Sequence, residues 1–252
     1  MKHILENNRI CAIMRGVPLG KTLDYADAVY RGGVRMFEVA MNSGDAARQI
    51  ELMRKHFGDN AYVGAGTVIS AKRCEAAREA GAQFFLTPSA TTGTMEFCRR
   101  YDIPLLPGVL TPTDVAVCLE YGYTIMKLFP AGDMPPSYIK SLKGPFDGTE
   151  YVAVGGVDAG NIKTFLDNGF IGVGIGSNLM PKEYVKNDAW DKASEYVKGI
   201  VGSISVSYTH LDVYKRQTST RTLALRPALE HCCPRARTCP SLSPTAQKQT
   251  WG

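Results

Sequence analysis

Residues 36–66 read MFEVAMNSGDAARQIELMRKHFGDNAYVGAG. Met36–Met41 is an apolar run of strand length, Asp45–Phe57 is an amphipathic helical segment, and Tyr62–Gly66 is a second short run of strand type. A strand, a helix and a strand joined by short links form a parallel crossover unit. Read outward in both directions, the unit repeats. Further strands are predicted at Arg9–Arg15, Phe84–Thr87, Leu105–Gly108, Thr124–Phe129, Tyr151–Val154 and Gly172–Gly176. Further helices are predicted at Thr22–Arg31, Ala71–Ala80, Thr92–Tyr101, Pro112–Glu120, Pro135–Leu142, Asn161–Asn168 and Tyr184–Val201. Thr111-Pro112-Thr113-Asp114 has the form of a helix start, with Thr as cap, Pro in the first turn and an acid after it. Gly81, Gly122 and Gly169 follow helix ends. The strands are apolar nearly throughout, as in a parallel sheet buried on both faces. Eight such units within residues 1–205 predict an α/β fold, a closed (β/α)8 or TIM barrel near its lower size limit. An open doubly wound sheet is the alternative.

Charge and composition narrow the function. The chain has 252 residues and a formal charge of +5, a balance that suggests nucleic acid as a partner. Residues 206–252 carry seven Lys and Arg against two acids, so the whole excess lies there and residues 1–205 are neutral. Neither nucleic acid nor a membrane is therefore expected as a partner. No apolar run reaches the length of a membrane span, and Met1–Arg9 lacks the shape of a signal peptide. Cys11, Cys74, Cys98 and Cys118 have no C-x-x-C spacing and read as reduced core thiols of a cytoplasmic protein.

The tail needs its own reading. Val206–Gln217 is VSYTHLDVYKRQ. DVYKRQ can be encoded by GATGTGTATAAGAGACAG, and the reverse complement of that DNA gives, in one frame, VSYTH and the first base of a Leu codon. The segment resembles the translated mosaic-end adapter of transposon-based sequencing libraries, joined head to head. The expectation is one barrel over residues 1–205, followed by a disordered foreign tail over 206–252. A natural disordered basic tail is the alternative. Cys232, Cys233 and Cys239 are accordingly left out of metal and disulfide reasoning.

A barrel draws its active residues from the carboxyl-terminal strand ends. Lys127 lies within the apolar run Ile125–Pro130, where desolvation favours a neutral amine, the form that attacks a ketone. A solvated or ion-paired lysine is the bland reading. Glu38 lies within another apolar strand, so the two are expected to share one mouth and to form at least an ion pair. His3 and His56 are the only histidines of residues 1–205 and read as solvated, which leaves no Ser-His or Cys-His couple and no metal-ligand spacing. The expected carbonyl chemistry is metal-free. Gly155-Gly156 and Gly174–Ser177, which includes Gly176, follow the last two strands, where barrels often bind phosphate through backbone N–H groups. Tight turns needing positive φ are the competing explanation. Gly64-Ala65-Gly66-Thr67 is a weaker phosphate signal, and Arg15 at a strand end is a candidate for an anionic group.

These motifs occur together, in order, over residues 1–205: ICAIMRG, FEVAMNS, VGAGTV, GAQFFLTPS, PLLPGVLTP, KLFPA, AVGGV and GIGSNLMP. The set resembles the class I aldolases of 2-keto-3-deoxy-6-phosphogluconate (KDPG) and 4-hydroxy-2-oxoglutarate (KHG). The resemblance implies a lyase of Entner–Doudoroff-type carbohydrate metabolism. It would cleave a phosphorylated keto acid to pyruvate and glyceraldehyde 3-phosphate, or KHG to pyruvate and glyoxylate. It implies a homotrimer without metal or cofactor. It gives Lys127 the Schiff base and Glu38 the general acid/base role. Thr67, Pro88 and Phe129 fall around the pyruvyl portion, Gly155, Gly156 and Ser177 at the phosphate, and Arg15 at an anion. Asn42 and Val154 depart from the Arg and Thr of many gluconate-type members, and instead look like the branch acting on the C4 epimer, the galactonate. A barrel isomerase or synthase, and a non-catalytic phosphate-ligand barrel, are the competing functions.

Overall fold

The computed structural model describes residues 1–205. The readings of residues 206–252 as foreign and disordered lie outside the described residues.

Nine parallel strands form one sheet: β1 (Ile10–Met14), β2 (Met36–Ala40), β3 (Tyr62–Gly66), β4 (Phe85–Leu86), β5 (Leu105–Leu106), β6 (Gly108–Val109), β7 (Ile125–Leu128), β8 (Glu150–Val154) and β9 (Gly172–Ile175). Their order is β5-β4-β3-β2-β1-β9-β8-β7-β6. β5 and β6 stand at the two ends of this order, yet only Pro107 separates them in the chain. Proline has no N–H to give a ladder, so one strand is interrupted there. The Pro107 carbonyl still accepts from the Lys127 N–H at 2.8 Å. The sheet thus closes on itself as an eight-walled barrel, which excludes the open sheet.

The helices are α1 (Lys2–Glu6), α2 (Thr22–Arg31), α3 (Ala46–Phe57), α4 (Ala71–Glu79), α5 (Thr92–Arg100), α6 (Pro112–Glu120), α7 (Tyr138–Lys143), α8 (Ile162–Asp167), α9 (Lys182–Lys186) and α10 (Trp190–Ser205). The start of α6 is a full capping box: Thr111 Oγ1 accepts from the Asp114 N–H at 3.3 Å, and Asp114 Oδ2 accepts from the Thr111 N–H at 2.8 Å. Gly81, Gly122 and Gly169 take positive φ past their helices, as the sequence suggests. One expectation is corrected. The single helix over Tyr184–Val201 is two, broken at residues 187–189, where Asp188 takes φ +52°. α1 escapes the sequence reading because it has five residues and no side-chain cap.

Alternation sorts the strands into two cores. Ile10, Ala12 and Met14 of β1, Phe37 and Val39 of β2, and Met126 and Leu128 of β7 pack outward beneath the helices. Cys11, Ile13, Met36, Ile125, Val152 and Val154 pack inside the barrel with Phe84, Leu86 and Leu106. Ile4 and Leu5 of α1 join this inner core. Glu38 and Lys127 follow the inner parity of Met36 and Ile125, so the barrel itself directs both into its lumen.

Candidate active site

Lys127 and Glu38 stand on opposite walls, since β2 and β7 are four strands apart in either direction round the closed barrel. Lys127 is 5% exposed and Glu38 is 1% exposed. Among the described residues they form no ion pair, which corrects the expected contact, and Glu38 Oε2 is buried without a hydrogen-bond partner. Instead they act through each other's field. Burial lowers the Lys127 amine below the ordinary lysine value, and the charge of Glu38 opposes that shift. Burial raises the Glu38 carboxyl, while Lys127 and Arg15 oppose it. In both cases desolvation outweighs the attraction, so each group is held toward its neutral form. Lys127 Nζ lies 5.1 Å from the centroid of the Phe129 ring, which places the amine toward the carboxyl-terminal mouth.

The space for Glu38 comes from a neighbouring strand. A Cβ on Gly66 would overlap Glu38 Oε1, and a Cβ on Gly64 would overlap the Phe84 ring. The glycines of Gly64-Ala65-Gly66 are therefore lumen clearances rather than phosphate ligands. Thr67 follows with φ +58°, an unusual conformation for a β-branched residue. It is fixed on either side: its carbonyl accepts from Arg73 Nη1 at 3.0 Å, and the Val68 N–H bonds to Leu86 O at 3.2 Å. Pro88 is set by Thr87, whose Oγ1 donates to Ser89 O at 2.7 Å and accepts from the Gly108 N–H at 3.2 Å. The backbone of Pro88 passes so close to Gly108 that any Cβ there would overlap it.

Gly155 and Gly156 both have positive φ, at +87° and +72°, and close packing adds a second reason for glycine, on Phe129 and Pro130 at Gly155 and on Gly132 at Gly156. The turn alone accounts for the pair. Its hydrogen bonds add more. The carbonyls of Gly155, Gly156 and Val157 accept from the Gly132 N–H, Asn161 Nδ2 and Asn178 Nδ2 at 2.7, 2.8 and 3.3 Å. With the carbonyls engaged, the Gly156 and Ser177 amides donate to no described residue, and both residues are exposed at the mouth. Gly176 accepts from the Leu179 N–H at 2.9 Å and starts the turn that carries Ser177. Val154 is buried, packs inside the barrel and lies against the position of Gly174. Asn42 and Arg15 are exposed just beyond β2 and β1.

The structure thus gathers the sequence candidates at the carboxyl-terminal end of one barrel. Sequence reasoning missed Thr87, Gly132, Asn161 and Asn178, which hold the loops. Asn178 lies within the quoted GIGSNLMP run, but a carbonyl-directed amide has no sequence signature. Away from the mouth, His56 Nε2 meets Asp27 Oδ1 at 2.8 Å on the surface, and Cys11, Cys74, Cys98 and Cys118 are buried free thiols. No helix among the described residues is long and apolar enough to cross a membrane.

A parallel barrel with a desolvated amine and a desolvated carboxyl across its lumen fits an α/β-barrel lyase of the aldolase type. The sequence model described as "Aldolase: KDPG and KHG aldolase" matches residues 1–196, and the chain belongs to that family. It is 31% identical over 191 residues to 2-dehydro-3-deoxy-6-phosphogalactonate aldolase of Escherichia coli (strain K12), covering 75% of this chain and 93% of the relative. It is 30% identical over 207 residues to 2-dehydro-3-deoxy-phosphogluconate aldolase of Haemophilus influenzae, covering 81% and 97%. Among solved structures, KDPG aldolase from Legionella pneumophila, with pyruvate captured at low pH as a covalent carbinolamine, superposes with a TM-score of 0.72 at 28% identity, covering 78% of this chain and 96% of that one.

Proposed function

We propose that this protein is a class I aldolase that cleaves a 2-keto-3-deoxy-6-phospho sugar acid to pyruvate and glyceraldehyde 3-phosphate. The same chemistry extends to KHG, giving pyruvate and glyoxylate. The observation that carries this reading is the buried Lys127 amine, lowered by desolvation and facing Glu38 across the lumen. The neutral amine adds to the C2 ketone, and loss of water leaves an iminium. Glu38, through a water, takes the C4 hydroxyl proton. The C3–C4 bond breaks, its electrons pass into the iminium to form an enamine, and the aldehyde leaves. Protonation at C3 and hydrolysis then release pyruvate and restore the amine. One carboxyl alternates as base and acid, a role suited to a carboxyl whose pKa burial has raised.

In this reading Thr67, Pro88 and Phe129 surround the pyruvyl portion, the Gly155, Gly156 and Ser177 amides receive the phosphate, Gly176 shapes that turn, and Arg15 meets an anionic group. Asn42 and Val154 select the C4 epimer. The working protein is a cytoplasmic homotrimer, for which sedimentation at three chain masses is the check.

Incubation with pyruvate and borohydride tests the reading. The expected result is a stable secondary amine mapped to Lys127, with both adduct and turnover abolished in Lys127→Met. An adduct on another lysine, or none, overturns the assignment. The isomerase reading requires no adduct, and a binding barrel requires ligand uptake without pyruvate release.

A further inference from the structure

Beside the mouth, between the loops after β1 and β9, lies a cavity of about 470 Å³ whose lining includes neither Lys127 nor Glu38. That volume is in the range, roughly 300–1,000 Å³, of small-molecule sites. Its floor is apolar: Ile13, Val17, Met180 and Val185, with the ring of Tyr25. Its rim is cationic, with Arg15, Lys182 and Lys186, and no acid lines it. Lys182, Val185 and Lys186 share one face of α9 by their spacing, which explains why all three line the cavity. None of the three rim cations forms an ion pair among the described residues, although Arg15 lies in the field of Glu38. Lys21, the fourth cation of the lining, is already engaged. Its Nζ donates to Val185 O at 2.8 Å and Lys186 O at 3.3 Å and pairs with Asp188 at 2.8 Å. This contact ties α9 to the opposite wall and frames the cavity.

Tyr25 points to a ligand. It is 5% exposed, it lines the cavity, and its hydroxyl has no hydrogen-bond partner among the described residues. Burial holds the phenol well above its ordinary pKa, so it remains a donor. A hydroxyl that opens to the cavity with no acceptor among the described residues, an apolar floor and cations at the rim together describe one kind of occupant.

We propose that this cavity is a second subsite, for an organic anion with an apolar body: a carboxylate or phosphate monoester of an aryl or branched alkyl group. The body lies on Met180 and Val185, the Tyr25 hydroxyl donates to a polar atom of the occupant, and Lys182 and Lys186 face its charge. Arg15, Gly176 and Ser177 belong both to this lining and to the proposed phosphate end of the active site, so occupancy competes with a phosphorylated substrate. That kinetic consequence rests on the proposed aldolase reading; the binding itself does not.

Isothermal titration of the full chain with phenyl phosphate, and separately with inorganic phosphate, tests the proposal. Phenyl phosphate is expected to bind more tightly than inorganic phosphate. Tyr25→Phe is expected to weaken phenyl phosphate about fivefold, the scale of one lost hydrogen bond, and to leave inorganic phosphate unchanged. Lys182→Gln with Lys186→Gln, on an exposed helix face, should weaken it similarly and flatten its salt dependence. In turnover assays phenyl phosphate should raise the apparent KM without lowering kcat. Equal affinity for the two probes, affinity unmoved by both variants, or no binding at all overturns the subsite. If calorimetry succeeds while borohydride trapping fails, the subsite stands and the aldolase reading falls.

Discussion

Lys127 and Glu38 are costly residues, and the cost has a sign that pH reveals. Folding lowers the Lys127 pKa. The unfolded chain therefore binds more protons between the folded and ordinary lysine values, and this residue's contribution to stability rises with pH through that window. Folding raises the Glu38 pKa. The native state then binds more protons between the ordinary carboxyl value and the raised one, and stability falls as pH rises through that range. At neutral pH both groups are unfavourable. Lys127→Met with Glu38→Leu is expected to stabilise the barrel at pH 7, because two desolvated ionisable groups give way to apolar ones. The gain should shrink as pH climbs toward the ordinary lysine value, and chemical denaturation across pH is the check. A loss of stability instead would show that the pair supports the fold. Glu38→Gln alone is expected to retain trapping at Lys127 and to lose turnover by roughly 100-fold or more. Near-normal turnover would remove Glu38 from the mechanism. Val154 packs in the inner core, and in the proposed reading it offers the substrate only methyl groups. Val154→Thr is expected to shift the kcat/KM ratio toward the gluconate epimer by about 1–2 kcal/mol if one hydrogen bond is gained. A ratio that does not move would show that Val154 does not set the choice, and a wild-type preference for gluconate above roughly tenfold would count against Asn42 as well.

At the scale of elements, the site depends on what the strands beside it leave out. β3 contributes Gly64 and Gly66 to the lumen, and the missing side chain at Gly66 leaves the space that the Glu38 carboxyl fills. Gly66→Ala is expected to displace the Glu38 carboxyl while sparing Lys127, so that turnover falls steeply and the borohydride adduct persists. Equal loss of both would mean that the barrel, not the carboxyl, was disturbed. The strands and most helices were legible because apolar runs, cap residues and terminal glycines act locally. Thr111 and Asp114 satisfy each other across three residues, and that pattern is visible in the sequence. α1 and the break at Asp188 were not legible. α1 is held by burial of Ile4 and Leu5 inside the barrel, and the end of α9 is bound by Lys21 from far along the chain. Long-range contacts of this kind leave no local periodicity.

For the whole molecule, we propose that residues 1–205 fold as one unit without needing residues 206–252. A chain ending at Ser205 is expected to melt within about two degrees of the full chain, since the loss of 1 kcal/mol shifts a domain of this size by about 2–4 degrees. A larger fall would mean that the tail makes native contacts. The sequence by itself determined the repeating strand and helix units, the neutral charge of the barrel, and which residue types were available for carbonyl chemistry. These follow from local hydrophobicity and composition. Its strands, however, are apolar on both faces, so alternation carries no signal of which side faces the lumen. Only closure of the sheet through Pro107 assigns Glu38, Lys127 and Val154 to the interior and sets the first two across from one another. Closure also removes them from water, and it is this desolvation, absent from any single strand, that moves both pKa values toward the neutral forms.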